Sequence, residues 1–111
     1  MKKVEAVIQL TEVDEVKDGL TKIGIEMMTV SEVKTFGKHG PVEYYRGRRY
    51  EPPFLAEAKL ELVVPDDMAD NAVAIIRDAS HADEPWDTRI SVSSLDDLAR
   101  LRLGKKGIAA A

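Results

Sequence analysis

Lys59-Leu60-Glu61-Leu62-Val63-Val64-Pro65-Asp66-Asp67 reads as a strand over Lys59 to Val64 running into a helix. Leu60, Leu62 and Val64 recur at period two, so they share one face of an extended segment, with Lys59, Glu61 and Val63 on the other. Pro65 cannot continue a ladder and suits a helix start, and Asp66 and Asp67 place negative charge at the positive end of the helix dipole. Beyond them Ala69, Ala72, Val73, Ile76 and Ala79 form an apolar stripe at helical spacing. Arg89 to Ser93, with Ile90 and Val92, then reads as a strand. This half of the chain is strand-helix-strand.

The first half repeats the pattern. Val4, Ala6, Ile8 and Leu10 alternate along a first strand. Thr11 with Asp14 resembles a capping box, Val13, Val16, Leu20 and Ile23 give an amphipathic helix, and Gly24 is its natural stop. Ile25 to Phe36, rich in β-branched residues, reads as a second strand. Two strand-helix-strand units in tandem predict an α+β fold, a ferredoxin-like βαββαβ sandwich in one domain over 1–111. The helices cover one sheet face. The other carries Glu5, Lys59 and Glu61 with Val7 and Val63, a mixed face suited to enclosure by partner subunits. A short helix is predicted over Ser94 to Arg102, and a loosely ordered tail over 104–111.

Between the halves lies a long stretch, Gly37 to Pro53, where a short turn would suffice. It holds Gly37, Gly40, Pro41, Gly47, Pro52 and Pro53, together with Arg46, Arg48, Arg49, Tyr44, Tyr45 and Tyr50. It reads either as a floppy insertion or extended hairpin, or as an interaction loop; three tyrosines and a basic cluster favour the loop.

Composition narrows the function. The 111 residues are 44% hydrophobic and 32% charged, with no cysteine and a net charge of -4. That balance is globular, excludes a disulfide framework and a thiolate metal site, and argues against nucleic acid as the main partner. No apolar run is long enough to span a membrane, and the N-terminus is too polar for a signal peptide, so a cytoplasmic protein without membrane insertion is expected. No nucleophile-base arrangement or phosphate-binding glycine loop is present, so no catalytic residue and no metal site are nominated. His39 and His81 stand far apart, and Met27 and Met28 read as core filler.

Arg100 and Arg102 lie two apart, so in an extended segment they share a face and can converge on phosphate, which a planar guanidinium grips well. Arg89 opens a strand after an irregular segment, a common place for a ligand contact. The alternative is that all three are surface arginines in weak ion pairs with Asp96, Asp97, Asp66 or Asp67.

The order of several segments is similar to the PII signal-transducer family: MKKVEAVI at the start, DEVKDGLTKIGI from Asp14 to Ile25, MTVSEVKTFG from Met28 to Gly37, YYRGRRY from Tyr44 to Tyr50, KLELVVPDD from Lys59 to Asp67 and LARLRLG from Leu98 to Gly104. That resemblance covers nearly the whole chain. It implies a non-catalytic regulator, a homotrimer with ATP, ADP or AMP in clefts between subunits, and a T-loop over 37–53 that docks on a target protein such as a membrane transporter or a protein of carbon metabolism. Carried over by position, it implies that Val7, Thr29, Gly37, Lys38, Glu61 and Val63 surround the base and ribose or wall the cleft. Asp87, Thr88 and Arg89 would form the phosphate loop, and Arg100 and Arg102 would pair with phosphates. His39, Arg46, Arg48, Arg49 and Tyr50 would serve the T-loop and its partner, Tyr50 falling where some relatives are uridylylated.

The chain departs from the family pattern in the glycine-rich segment, where Asp83-Glu84-Pro85-Trp86-Asp87-Thr88-Arg89 stands. It departs again where His39 replaces a glutamine and Glu57 replaces the lysine set against a 2-oxoglutarate carboxylate. A glutamate there repels a dicarboxylate, so the expected second ligand is bicarbonate, as in the divergent PII-like branch that includes a carboxysome-associated, bicarbonate-responsive type. The alternatives are a conventional nitrogen regulator responding to ATP and 2-oxoglutarate, and an oligomeric adaptor that binds no nucleotide.

Overall fold

The computed structural model describes residues 1–36, 43–45, 47–50, 54–80, 88–100 and 105–107. In chain order the elements are β1 (Lys2–Ile8), α1 (Val13–Lys22), β2 (Thr29–Phe36), β3 (Glu43–Tyr45), β4 (Arg48–Tyr50), β5 (Phe54–Val64), α2 (Ala69–Ala79), β6 (Arg89–Ser94), β7 (Ala99–Arg100) and β8 (Lys105–Lys106). The main sheet has the order β2-β5-β1-β6, and every neighbouring pair in it is antiparallel. Each crossover helix therefore carries the chain past one strand of the other unit. This is the ferredoxin-like arrangement expected from the tandem pattern.

The helices pack on one face of this sheet. Val4, Ala6 and Ile8 of β1 meet Ala58, Leu60, Leu62 and Val64 of β5, and Val16, Leu20, Ala72 and Ile76 close over them. All of these residues are buried. Register explains the sorting, because Val4 pairs with Leu62 and Ala6 with Leu60 on the same side of the pleat.

Local chemistry sets the helix ends. α1 stops where Gly24 takes φ 88, so the amide of Ile25 can donate to the Leu20 carbonyl at 3.1 Å and that of Gly24 to the Thr21 carbonyl at 3.0 Å. Gly19 lets α1 approach α2: a Cβ there would lie 2.6 Å from the Ile75 Cγ2.

Several elements differ from the sequence-based expectation. β1 ends at Ile8, because Leu10 enters a short 3-10 turn spanning Leu10–Glu12. The acid that caps it is Glu12, whose Oε1 accepts from the Gln9 amide at 3.0 Å, in place of the Thr11–Asp14 pair. β2 begins at Thr29, four residues later than predicted, and β5 begins at Phe54, five residues earlier. The predicted helix over Ser94 to Arg102 does not form. Ser94 belongs to β6, residues 95–98 are irregular, and Ala99–Arg100 pairs with Lys105–Lys106 of the tail. Part of the long inter-strand stretch is a hairpin, β3 against β4, turning at Gly47 with φ 77. Phe36 and Phe54 pair across the strands that lead into it, their rings tilted at 58° with centroids 5.8 Å apart.

Candidate functional site

The sheet face opposite the helices presents the alternate residues of the same strands. From β2 it carries Thr29, Ser31, Val33 and Thr35, and from β5 Glu57, Lys59, Glu61 and Val63. β1 adds Lys3, Glu5 and Val7, and β6 adds Arg89, Ser91 and Ser93. Five of the nominated ligand residues, Val7, Thr29, Glu61, Val63 and Arg89, therefore share one surface. Period two at KLELVV already puts Glu61 and Val63 on the face that the core does not use.

Thr29 is paired in register with Glu61. With Val63, Lys3, Met27, Leu62 and Leu98 they line a concavity of about 180 Å³. Met27 is 48% exposed, so it is a wall of this hollow and not core filler, whereas Met28 packs against the core. Leu98 brings the chain leading to Arg100 to the same hollow. Val7 and Arg89 pair in register beyond its far edge, and Thr88 immediately precedes β6.

Charge on this face is arranged as a closed ring. Lys3 Nζ lies 2.8 Å from Glu5 Oε1 and 3.8 Å from Glu61 Oε2, and Lys59 Nζ lies 3.4 Å from Glu61 Oε1 and 4.0 Å from Glu5 Oε2. The hydrogen bond from Lys3 holds the Glu5 carboxyl below the ordinary carboxylate range, and the hydrogen bond to Glu5 raises the Lys3 ammonium. Glu61 is thus oriented by two ammonium groups at the lip of the hollow.

A second cluster was not foreseen. Arg89 does not pair with the aspartates flanking the helices. Its guanidinium crosses β1 to reach Glu57 Oε1 at 3.6 Å and donates to Thr35 Oγ1 at 3.4 Å, both through Nη2. The sequence signal was present: Glu57 continues the Lys59, Glu61, Val63 alternation backward once β5 is allowed to start at Phe54.

Arg100 sits in β7, so the extended backbone needed for a converging pair is present there, while Arg102 lies outside the described residues. Gly37, Lys38, His39, Arg46 and Asp87 also lie outside them. Arg48, Arg49 and Tyr50 form β4 and pair with Tyr45, Tyr44 and Glu43.

The family model described as nitrogen regulatory protein P-II matches residues 1–105. The chain belongs to the P-II family. It is similar to the nitrogen regulatory protein P-II of Rhodobacter capsulatus, 44% identical over 108 residues and covering 96% of each chain. The Azospirillum brasilense protein of the same name is 40% identical over 108 residues, again 96% of each chain. That of Microchaete diplosiphon is 44% identical over 107 residues with the same coverage. A P-II family chain is a signalling regulator, and among the described residues no helix is long and apolar enough to cross a membrane.

Proposed function

We propose that this P-II family regulator senses adenine nucleotides, without catalysis, in a cleft built on the open sheet face. The observation that carries this reading is the concavity where Thr29, Glu61 and Val63, nominated from sequence alone, come together beside Leu98. An apolar floor with a few placed polar groups is the chemistry of a purine site. Val7 and Val63 offer the base an apolar surface, Thr29 a hydroxyl, and Glu61 an acceptor for an amino or ribose hydroxyl group. Arg89, Arg100 and Arg102, with Lys38 and the segment Asp87-Thr88, supply positive charge and backbone donors for phosphates.

The described residues of one chain leave this face uncovered, so the reading includes a cytoplasmic homotrimer in which neighbouring copies complete each cleft. The long stretch over 37–53 acts as the T-loop, with His39, Arg46, Arg48, Arg49 and Tyr50 meeting a target protein such as a transporter or an enzyme of carbon metabolism. Glu57 disfavours 2-oxoglutarate, which leaves bicarbonate or the nucleotide phosphates as the ordering anion.

Calorimetric titration with ATP, ADP and AMP, each with and without bicarbonate or 2-oxoglutarate, tests this. ADP or ATP should bind, and Arg100→Ala with Arg102→Ala should weaken binding at least tenfold. Hydrogen bonds to charged groups contribute about 1.5 to 3 kcal/mol each. Equal affinity in the double variant would remove the phosphate assignment. Trypsin cleavage after Arg46, Arg48 or Arg49 should slow with ADP plus bicarbonate and not with ADP plus 2-oxoglutarate. The second reading, a conventional nitrogen regulator, is favoured by the names of the relatives that match 96% of the chain; strong protection by 2-oxoglutarate would establish it.

A further inference from the structure

We propose that Glu57 is a built-in counter-ion that holds Arg89 across the open sheet face, and that a nucleotide phosphate must take Arg89 away from it. This rests on the nucleotide reading above and assigns a specificity-determining role to a residue outside the purine hollow.

The geometry is asymmetric. Arg89 stands on the edge strand β6, in register with Val7 of β1. Glu57 lies on β5, one strand further in, and Thr35 on β2, the opposite edge. To meet both, the guanidinium crosses β1 and leans along the sheet toward the Glu57 end. On β5 that end lies four residues, about 13 Å at strand rise, from Glu61 at the lip of the hollow. The side chain of Glu57 is only 3% exposed, whereas that of Arg89 is 49% exposed. The acid is fixed in the sheet, and the base is half in water and can leave.

A guanidinium has five N–H donors, and the contacts to Glu57 and Thr35 both use Nη2. A phosphate bound on the β6 side would draw the head back over β6, away from Glu57 and Thr35. Leaving a sheltered carboxylate without its cation is unfavourable, and that cost is subtracted from phosphate affinity. Affinity for phosphate is thereby lowered while affinity for the nucleoside is untouched, so the Glu57–Arg89 pair sets how steeply binding depends on the number of phosphates.

The test combines ligand-free stability with binding. A double-mutant cycle of Glu57→Gln and Arg89→Gln, followed by thermal unfolding without ligand, should show non-additive effects, because the two side chains contact each other. Calorimetry should then find ADP bound about tenfold tighter by Glu57→Gln than by the parent, with adenosine affinity equal in both. Thr35→Ala, which removes only the hydroxyl contact, should shift ADP in the same direction by less and provides the measurement should Glu57→Gln fold poorly. Unchanged or weaker ADP binding in these variants overturns the proposal, since Glu57 would then be indifferent to Arg89 or would position it for phosphate. An additive ligand-free cycle overturns it as well. If neither the parent nor any variant binds ADP or ATP, the nucleotide reading itself has failed, and the ligand-free cycle still judges the Glu57–Arg89 pair.

Discussion

The two faces of the sheet are made by the same strands and do opposite things. On the helix side, β1 and β5 contribute Val4, Ala6, Ile8, Ala58, Leu60, Leu62 and Val64, all buried. On the other side the intervening residues are Lys3, Glu5, Val7, Glu57, Lys59, Glu61 and Val63, where charges meet in a ring and only short apolar patches lie between them. Stability resides in the first set, which needs no partner. The second set is pre-ordered by its own ion pairs and, among the described residues, left open, as the proposed cleft requires. One strand thus carries both tasks, kept apart by the pleat alone.

The comparison breaks most visibly on the core side. Leu60→Ala removes a fully buried side chain of the core and should cost about 2 to 5 kcal/mol, read from the urea midpoint. A smaller loss would mean that the helices do not close on this strand. Gly19→Val tests the helix layer itself. The added side chain meets Ile75 where a Cβ alone would already lie at 2.6 Å, so α1 and α2 must separate, for about 1 to 3 kcal/mol.

The open face should respond to pH and salt more than to truncation. Glu5 is held below its ordinary 4.5 by Lys3, so its folded pKa lies under its unfolded one. Its contribution is therefore complete above the unfolded value and is lost as pH falls through the folded one. Glu5→Gln should flatten the acid limb of stability as pH falls below about 5, and added salt should mask the difference, because these groups are solvated. An unchanged acid limb would show that the ring does not form in solution.

How much of this was legible in the sequence follows the same division. Period two at Leu60, Leu62 and Val64 and the helical stripe from Ala69 to Ala79 report burial directly, so the fold class and the core could be read. Boundaries were less legible where local signals competed. Ile25, Met27 and Met28 are apolar but belong to the irregular segment after Gly24, where β2 has no partner in register until Thr29 pairs with Glu61. Ser94 with Asp97 looks like a helix start, yet Ala99 and Arg100 are drawn into pairing with Lys105 and Lys106, a contact that no local pattern announces. At the site, Thr29, Glu61 and Val63 were nominated by family position, and the sheet unites them. Lys3, Met27 and Leu98 were missed because they reach the hollow from three separate segments. The Arg89–Glu57 pair spans 32 residues of chain and becomes visible only when strand order is known.

The most direct test of this division uses two neighbours in sequence, Val63 and Val64, truncated one at a time and followed by both unfolding and ADP calorimetry. Val64 is buried under the helices, and Val63 lines the hollow on the other side. Val64→Ala should lower stability by about 1.5 to 3 kcal/mol while the folded protein binds ADP with the parent's affinity. Val63→Ala should lose ADP affinity by about fivefold or more at a stability cost under about 1 kcal/mol. If both variants lose stability and affinity in the same proportion, the two faces are not separate in function and the account is wrong.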